Sequence, residues 1–375
     1  MQQMFTSLGL MSGTSGDGVD ASIINSDGIS KFDVIKNKYF EYDNEIYKQI
    51  HALKDEINTI DDLKKFSKEL NHLERTITLF HAKIINEFKI IKDNYIVGFH
   101  GQTIYHNPKE QISKQLGDAK LLYQLTKKKI IFNFRENDIL NGGEGAPLTP
   151  LFHQLIVTKS KINFPTCILN IGGISNATII KEPIGSFNFE SRDLGPGNCL
   201  IDTWIRKNSK HKFDFNGNLA SNGKVNEIIL EQAIDLYTNR IEKNKNSFDV
   251  SDFDISFARG LSLEDGTATL TDFTAKIISD ELSAMMTKSE IFDKINEIFV
   301  CGGGRKNNFL IDKIRKKILN FKKIKLVDNY NIDGDYVESQ AFAFLAIRSI
   351  LNLPISFPTT TRCLKPISGG EIIEY

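Results

Sequence analysis

The hydrophobic pattern begins with three strand-like segments and continues with a helix-like one. Residues 5–11, 19–25 and 32–42 are apolar stretches of strand length, and the Asp27-Gly28 dipeptide between the last two favours a hairpin turn. In the next segment apolar residues recur at spacings of three and four, at Leu63, Phe66, Leu70, Leu73, Ile77, Phe80 and Ile84. We expect an antiparallel meander followed by one long helix whose apolar face packs in a core.

Strands and helices alternate along the rest of the chain. The predicted strands are residues 95–99, 129–134, 166–171, 176–181 and 297–301. The predicted helices are residues 225–237, 270–286 and 339–351. Such alternation is typical of α/β sheets, in which ligands bind at the carboxyl ends of the strands.

Three predicted strands end in turns rich in glycine, serine and threonine. These turns are Gly13, Thr14, Ser15, Gly16, Asp17 and Gly18; then Gly172 and Gly173; and then Gly302, Gly303 and Gly304. Glycine lets backbone N–H groups approach phosphate oxygens closely, and Asp17 offers a carboxylate to Mg²⁺, through its waters. The spacing is neither that of a Walker A loop nor that of a dinucleotide fingerprint, and each turn by itself is also explained as an ordinary tight turn. One nucleotide would contact all three turns if two lobes faced each other across a cleft.

Asp193 is the candidate catalytic carboxylate. It stands just before the turn at residues 195–197, a Gly-Pro-Gly sequence, where a carboxylate is well placed to take a proton from water or a hydroxyl. General-base catalysis contributes about 10²–10⁴-fold to a rate. The other interpretation is that Asp193 accepts hydrogen bonds from the N–H groups of the turn, and the local sequence favours neither. Asp202 and Trp204 follow on a predicted helix, where Asp202 would have a supporting role.

Polar residues also follow other predicted strands. His100 and Gln102 come after strand 95–99 and could bind sugar hydroxyls, although a lone histidine is more often a structural hydrogen bonder. Arg135 has forked donors that suit a substrate carboxylate, or it forms a surface ion pair with a neighbouring acidic residue. Glu338 lies at the start of the last apolar helix, where it could serve as a simple N-terminal charge.

Composition restricts the classes of partner. A chain of 375 residues predicts two domains rather than one core. Lys plus Arg and Asp plus Glu each number 47, and this zero balance argues against nucleic acid or a membrane surface as the main partner. The chain shows neither a signal peptide nor the run of about 18–20 apolar residues that a membrane span needs. The four cysteines form no C-x-x-C pair, so we expect a reducing, cytoplasmic environment.

A set of motifs occurs in order along the chain and resembles one family. The motifs are MSGTSGDGVD, FHGQT, GDAKLL, NGGEGAPLTP, LNIGGISN, DLGPGNCLIDTW, FARGLSLEDGTATLTDFTA, VCGGGRKN and ESQAFAFLAIRS. Over residues 9–370 the chain resembles the anhydro-N-acetylmuramic acid kinases. DLGPGN and NGGEGAPL carry most of this resemblance, because glycine pairs after strands are common.

The resemblance implies a fold and a reaction. The fold would be α/β, a two-lobed actin-like ATPase (ribonuclease H-like) fold with an interlobe cleft. Lobe I would comprise residues 1–137 with 345–375, and lobe II residues 138–344. ATP and Mg²⁺ would be the cofactors, a homodimer the assembly, and peptidoglycan recycling the pathway. The reaction would convert 1,6-anhydro-N-acetylmuramic acid, water and ATP into N-acetylmuramic acid 6-phosphate and ADP.

The resemblance also implies roles for individual residues. Asp193 would be the general base, and residues 13–18 would be the phosphate loop. Arg135, Asn198 and Glu338 would lie on the substrate side.

Three positions depart from the usual residues of the family. Gly16 stands where Leu is usual, which makes the phosphate loop more flexible. Glu144 replaces a frequent Gln and adds negative charge near the substrate lobe. Arg362 stands where Gly is common, and it would be strained if that position requires a positive φ.

Other functions are compatible with the same fold. One is a kinase that acts on an intact hydroxyl of another sugar or acid, without incorporating water. Another is a non-catalytic, Hsp70-like ATP-binding switch, and a polymerising actin-like protein is a third for which the sequence has no diagnostic. Fold analogy alone does not decide among them, so the argument for the anhydrosugar kinase depends on Asp193 and its motif.

Overall fold

The chain folds into two compact units. The structure is a computed structural model that describes residues 3–88, 95–240, 247–318 and 323–374. Unit 1 is drawn from Met1–Lys161, Pro183–Phe189 and Asp335–Tyr375, and unit 2 from Ile162–Glu182 and Glu190–Gly334. Each unit is a mixed α/β structure with one sheet, which confirms the predicted α/β class.

The strands and helices of both units have the following bounds. The strands are β1 Phe5–Ser12, β2 Gly18–Ser26, β3 Phe32–Glu41, β4 Ile96–Asn107, β5 Ile112–Leu116, β6 Lys129–Phe132, β7 Thr166–Ile171, β8 Ile174–Ile180, β9 Phe189–Pro196, β10 Glu297–Cys301, β11 Lys323–Leu326 and β12 Glu371–Ile373. The helices are α1 Asn44–Glu56, α2 Ile60–Lys65, α3 Ser67–Glu87, α4 Ala119–Thr126, α5 Glu136–Leu140, α6 Pro150–Lys159, α7 Cys199–Asn208, α8 Asn218–Asn222, α9 Glu227–Arg240, α10 Leu263–Lys288, α11 Asn308–Lys317, α12 Val337–Ile350 and α13 Pro358–Thr361. No helix in the described ranges combines the length and the apolar character needed to cross a bilayer.

The sheet of unit 1 has the strand order β12-β6-β4-β1-β2-β3, with β5 paired to β4. Strands β1, β2 and β3 form the predicted antiparallel meander. Strand β4 runs parallel to both β1 and β6, so the carboxyl ends of these three strands share one edge of the sheet. The residues that follow β1 and β6, and those in the second half of β4, therefore lie near one another.

Helix α12 lies close against this sheet because two strands carry glycine at the contact. A Cβ atom added to Gly9 on β1 would lie 1.9 Å from the carbonyl oxygen of Ser339. One added to Gly98 on β4 would lie 2.4 Å from the carbonyl oxygen of Phe342. Eleven of the fourteen residues of α12 are buried, so the Ala- and Phe-rich segment is the buried helix that the sequence predicts.

One expectation for unit 1 is wrong in detail. The predicted single helix is two helices, α2 and α3, because the backbone of Phe66 leaves helical geometry at φ −96° and ψ 19°. The compact units have bounds other than 137/138 and 344/345, and the division into lobes stays a prediction. Helix α6 belongs with unit 1, since its Phe152 ring lies 5.1 Å from that of Phe32 and 5.8 Å from that of Phe344. Helix α12 belongs there over its whole length, so the boundary falls before Val337.

The sheet of unit 2 has the strand order β11-β10-β7-β8-β9. Strand β10 runs parallel to both β7 and β11, and Cys301 at its end is paired with Asn170 near the end of β7. The glycine turns that follow β7 and β10 therefore lie side by side at the carboxyl edge of the sheet. Helix α10, whose buried residues run from Gly266 to Met286, packs against α7, α8, α9 and α11.

Candidate functional site

The first glycine turn, residues 13–18, connects β1 to β2 and has a defined shape. The N–H of Gly16 donates to the carbonyl of Gly13 at 3.1 Å, and Gly16 adopts φ +60°. A Cβ at Gly16 would lie 2.8 Å from Cγ2 of Ile50, so a side chain would be both strained and crowded here. The hydroxyl of Ser15 donates to Oδ1 of Asp17 at 2.5 Å, which fixes the carboxylate at the end of the turn.

Three consecutive carbonyl groups of this turn accept hydrogen bonds from side chains outside it. The bonds are Gln102 Nε2 to Gly13 O at 3.0 Å, Lys54 Nζ to Thr14 O at 2.8 Å, and His51 Nε2 to Ser15 O at 2.9 Å. The predicted site residue Gln102 thus contacts the turn itself, and it is fully buried. His51 and Lys54 were not predicted as site residues, because helix α1 was missed.

A sequence signal for α1 was present. Asp43 is its N-cap and accepts from the backbone N–H groups of Glu45 and Ile46. Ile46, Ile50 and Leu53 are its buried residues, at helical spacing. A cap residue followed by that spacing would have predicted a helix, and with it the two polar side chains that face the turn.

The two glycine turns of unit 2 are held by backbone contacts. The N–H groups of Asn198 and Gly197 donate to the carbonyls of Gly172 and Gly173 at 2.8 Å and 2.9 Å. A Cβ at Gly197 would lie 2.3 Å from the carbonyl oxygen of Gly172, so only glycine permits this approach. The predicted substrate residue Asn198 thereby lies against the second turn, directly before helix α7.

The third turn, residues 302–304, packs on the end of β7. Gly302 adopts φ +80°, and a Cβ there would lie 2.4 Å from Oδ1 of Asn170. Arg305 stabilises the turn, because its Nη1 donates a hydrogen bond to the carbonyl of Gly302 at 3.2 Å. The same guanidinium forms a double ion pair with Asp328, at 2.7 and 2.9 Å.

Some of these glycines have no packing reason to be glycine. A Cβ at Gly303 would meet nothing within 4 Å, one at Gly13 only the Ser15 hydroxyl at 3.7 Å, and one at Gly172 a carbonyl oxygen at 3.4 Å. Open space beside a backbone is what close approach by a phosphate requires, and a side chain would fill it. Each of the three glycine turns therefore has space for close approach by a phosphate group. Unit 1 holds one of them and unit 2 holds the other two.

Asp193 lies inside strand β9 rather than in a turn. The strand continues to Pro196, so the Gly-Pro-Gly sequence begins within it, and Gly195 takes φ +144°. The side chain of Asp193 is buried, and its Oδ2 accepts the backbone N–H of Phe248 at 2.8 Å. One oxygen of Asp193 thus accepts a backbone N–H, but the donor is 55 positions away and is not one of the turn N–H groups that the alternative interpretation expected. Its role as a base stays a prediction.

His100 and Arg135 are in direct contact in unit 1. Nη2 and Nε of Arg135 lie 2.9 and 3.3 Å from Nε2 of His100, and Nδ1 of His100 lies 2.8 Å from the carbonyl of Gly101. A carbonyl only accepts, so Nδ1 carries the hydrogen and Nε2 accepts from the guanidinium. Burial, and then the charge of Arg135, lower the pKa of His100 to about 3, so the ring is neutral at pH 7.

Arg135 is held further by the loop that contains Gly145. Its Nη1 donates to the carbonyl of Gly145 at 2.6 Å. The buried carboxylate of Asp138 accepts from the N–H of Gly145 at 2.7 Å and from the hydroxyl of Thr361 at 2.6 Å. Asp138 therefore orders the loop that in turn orders Arg135. Glu338, another predicted substrate residue, is half-buried in the first turn of α12.

The metal prediction depends on Asp17 alone. In the described ranges no three His, Cys, Asp or Glu side chains cluster as ligands of one ion. An ion bound mostly by phosphate and water needs only one or two protein carboxylates, as Mg²⁺ commonly does. Asp17, which stands at the end of the first glycine turn, has the right chemistry for that arrangement.

Glycine turns at strand ends, a buried carboxylate and an ordered arginine define an α/β protein suited to binding a phosphorylated ligand. The family model for anhydro-N-acetylmuramic acid kinase matches residues 5–374. The chain therefore belongs to the anhydro-N-acetylmuramic acid kinase family, as the motifs indicated.

Individual relatives agree with this assignment. An anhydro-N-acetylmuramic acid kinase of Pelagibacter ubique is 53% identical over the full length of both chains. One from Gluconobacter oxydans is 34% identical over 99% of this chain and 100% of its own. Among solved structures, an activator of 2-hydroxyisocaproyl-CoA dehydratase from Clostridium difficile with bound ADPNP aligns with 92% of this chain and 94% of its own, at a TM-score of 0.41 and 11% identity. A likeness at that level carries no argument about fold or function.

Proposed function

We propose that the chain is an ATP-dependent kinase that opens the anhydro bridge of 1,6-anhydro-N-acetylmuramic acid by hydrolysis and phosphorylates O6. The product would be N-acetylmuramic acid 6-phosphate, a step of peptidoglycan recycling. Family membership over residues 5–374 supports this substrate and reaction. The structural observation that carries the proposal is the buried carboxylate of Asp193, which a backbone N–H orients in the motif DLGPGN.

The glycine turns would hold ATP. Backbone N–H groups of residues 13–18, 172–173 and 302–304 would donate to the nucleotide, and the open space at Gly13 and Gly303 supports close approach. Asp17 would hold Mg²⁺ through water. When bound, the ion neutralises the charge of the phosphates and polarises the γ-phosphoryl group for attack.

Asp193 would take a proton from the water that attacks C1 of the sugar. The C1–O6 bond breaks as the water oxygen bonds to C1, and O6 leaves with the electron pair of that bond. O6 then bonds to the γ-phosphorus while ADP departs, and the proton on Asp193 goes to solvent. An inverting glycosidase needs a second carboxyl group to protonate the leaving oxygen, but here the phosphoryl group captures that oxygen. One carboxylate is therefore enough.

Arg135 and Glu338 would act on the sugar side of the reaction, with Asn198, His100 and Gln102. Arg135 is suited to the lactyl carboxylate, because a guanidinium donates to a carboxylate through two parallel hydrogen bonds. Its contacts with His100 and Gly145 are with neutral groups and hold the guanidinium in one orientation. We further propose a homodimer located in the cytoplasm, as the resemblance to the family implies.

The test is the Asp193→Asn variant, which keeps the shape of the side chain and its acceptor for Phe248. We expect turnover to fall by at least about 100-fold, while binding of ATP stays within a factor of two. Purified protein would be incubated with Mg-ATP, the anhydrosugar and ¹⁸O-labelled water, and the product followed by mass spectrometry. Label at C1 of a 6-phosphorylated product, with equimolar ADP, is the expected result.

Asp235→Asn is the matched control, because Asp235 is an exposed carboxylate on α9 of the same unit. Its turnover should equal that of the unmodified protein. Near-normal turnover of Asp193→Asn would remove Asp193 from the mechanism. A labelled product that lacks phosphate would show hydrolysis without phosphoryl transfer and would contradict the proposed coupling.

A further inference from the structure

Helix α1 contacts the phosphate turn through two side chains on the same face. Lys54 donates from Nζ to the carbonyl of Thr14 at 2.8 Å, and His51 Nε2 lies 2.9 Å from the carbonyl of Ser15. A carbonyl oxygen only accepts, so Nε2 of His51 carries its hydrogen and donates. Both side chains are half-buried, and they are one helical turn apart. The helix thus holds two adjacent peptide groups of the turn.

Holding a carbonyl also aims the N–H of the same peptide group. In a planar trans peptide the C=O and the following N–H point in opposite directions. Lys54 fixes the peptide group between Thr14 and Ser15, so the N–H of Ser15 points away from the helix. Gln102, on β4, holds the preceding peptide group through the carbonyl of Gly13, so the N–H of Thr14 points away from Gln102. The N–H of Gly16, in the peptide group that His51 holds, donates to the carbonyl of Gly13 and closes the turn. The N–H groups of Thr14 and Ser15 are the two that could contribute to an anion-binding concavity.

The helix that supplies these donors is itself fixed. Ile46, Ile50 and Leu53 are buried in the core of unit 1, and Asp43 caps its first turn. The turn can lie this close because residue 16 is glycine, since a Cβ there would meet Ile50 at 2.8 Å. A rigid helix and a glycine contact therefore determine the conformation of the turn before any ligand binds.

We propose that His51 and Lys54 are positioning residues that preorganise the phosphate turn for ATP. The inference rests on the proposed use of ATP and assigns neither residue to the chemistry. Lys54 contributes in a second way, because its ammonium group places a positive charge behind the peptide groups that would bind phosphate. Preorganisation acts on affinity by removing the cost of ordering the turn when the nucleotide binds.

The experiment compares Lys54→Met with Lys48→Met. Lys48 lies on the same helix and is exposed, so both variants remove one positive charge from α1. Calorimetric titration with a magnesium complex of a non-hydrolysable ATP analogue should give an affinity about tenfold weaker for Lys54→Met, which corresponds to about 1.4 kcal/mol. Lys48→Met should bind as the unmodified protein does. Lys54→Arg should recover most of the loss, and His51→Leu should weaken binding in the same direction.

Two further readouts separate positioning from general damage. The melting temperature and the KM for the anhydrosugar should be unchanged in Lys54→Met within a few degrees and a factor of two. Equal nucleotide affinity of Lys54→Met and Lys48→Met would overturn the inference. An equal rise of the KM for ATP and the KM for the anhydrosugar in Lys54→Met would overturn it as well. If the nucleotide results hold but the unmodified protein phosphorylates no anhydrosugar, the proposed substrate fails and the role of α1 stands.

Discussion

At the scale of single residues, two residues that the sequence sets apart from the expected family pattern contact each other. Nη1 of Arg362 lies 3.2 Å from Oε1 of Glu144. Arg362 has φ +64°, so the strain expected for a non-glycine residue at this position is present. A left-handed backbone costs such a residue roughly 1–2 kcal/mol. The ion pair joins side chains that are 42% and 15% exposed, so it contributes about 0–1 kcal/mol and offsets part of that strain.

A double-mutant cycle tests this coupling. Arg362→Gly removes the strain and the ion pair together, so we expect the free energy of unfolding to change by less than about 1 kcal/mol. Glu144→Gln should destabilise the protein slightly when Arg362 is present and not at all in the Arg362→Gly background. Urea titrations of the four proteins should give a coupling energy of about 0.5 kcal/mol that decreases with added salt. A coupling of zero would mean that the two departures are independent.

The sequence predicts candidate site residues, but it does not predict the residues that they contact in the structure. His100 and Arg135 were both singled out, with sugar and carboxylate as the expected ligands, yet the structure places them against each other. Gln102 likewise contacts Gly13, which is 89 positions away. These contacts follow from the parallel pairing of β4 with β1 and β6, which brings three separate segments to one sheet edge. Local sequence does not specify strand order.

At the scale of elements, glycines have two different roles, and replacing a glycine of each kind by alanine distinguishes them. Gly98 lets α12 approach β4, because a Cβ would lie 2.4 Å from the carbonyl oxygen of Phe342. Gly303 has nothing within 4 Å of the same position. Packing therefore explains the first glycine but not the second, for which we propose close approach by a ligand.

Gly98→Ala should affect stability, and Gly303→Ala should affect nucleotide binding. We expect Gly98→Ala to lower the free energy of unfolding by about 1–3 kcal/mol or more, since backbone atoms must move to accept the methyl group. Gly303→Ala should leave the free energy of unfolding nearly unchanged and weaken nucleotide binding severalfold. Chemical denaturation and calorimetric titration of both variants measure the two effects. Normal nucleotide affinity in Gly303→Ala would remove the third turn from the proposed phosphate site.

The hydrophobic pattern predicts well which side of a helix is buried, but it does not predict where one helix ends and the next begins. Leu63, Phe66 and Leu70 continue one apolar stripe, although the backbone bends at Phe66 and begins a new helix there. The stripe persists because residues on both sides of the bend pack against the same core, and that core sets the pattern. Strand β10, by contrast, has the predicted bounds, since glycines end its apolar run abruptly.

At the scale of the whole molecule, the alternation of strands and helices was enough to predict the α/β class. It was not enough to predict how the chain divides into two compact units. Each unit has its own buried core, and Pro183–Phe189 belongs to unit 1 although the chain on either side of it belongs to unit 2. The assignment of this short segment to unit 1 depends on packing between residues that are far apart in sequence. Composition, periodicity and turn signals are local, so they do not report it.

Three histidines make the stability of the protein depend on pH. His81, His100 and His153 are buried in unit 1, and burial lowers their pKa values from 6.5 to about 4, 3 and 3. Between these values and 6.5 the unfolded chain binds protons that the folded chain does not. Stability therefore rises with pH across this range, and it is lost as pH falls below 6.5, by up to about 1.4 kcal/mol per pH unit for each histidine.

His81→Met isolates one of these contributions. The ring of His81 contacts Phe99, and its Nδ1 donates a hydrogen bond to the carbonyl of Ile77. Methionine cannot make this hydrogen bond, but the carbonyl of Ile77 keeps its backbone hydrogen bond within α3. We expect the variant to match the unmodified protein at pH 7.5 within about 1 kcal/mol. At pH 5 it should be the more stable protein by about 1–2 kcal/mol, since it has one proton fewer to take up on unfolding. Urea titrations from pH 5 to 7.5 measure the difference, and parallel loss of stability in both proteins would show that His81 is not among the groups that set the pH dependence.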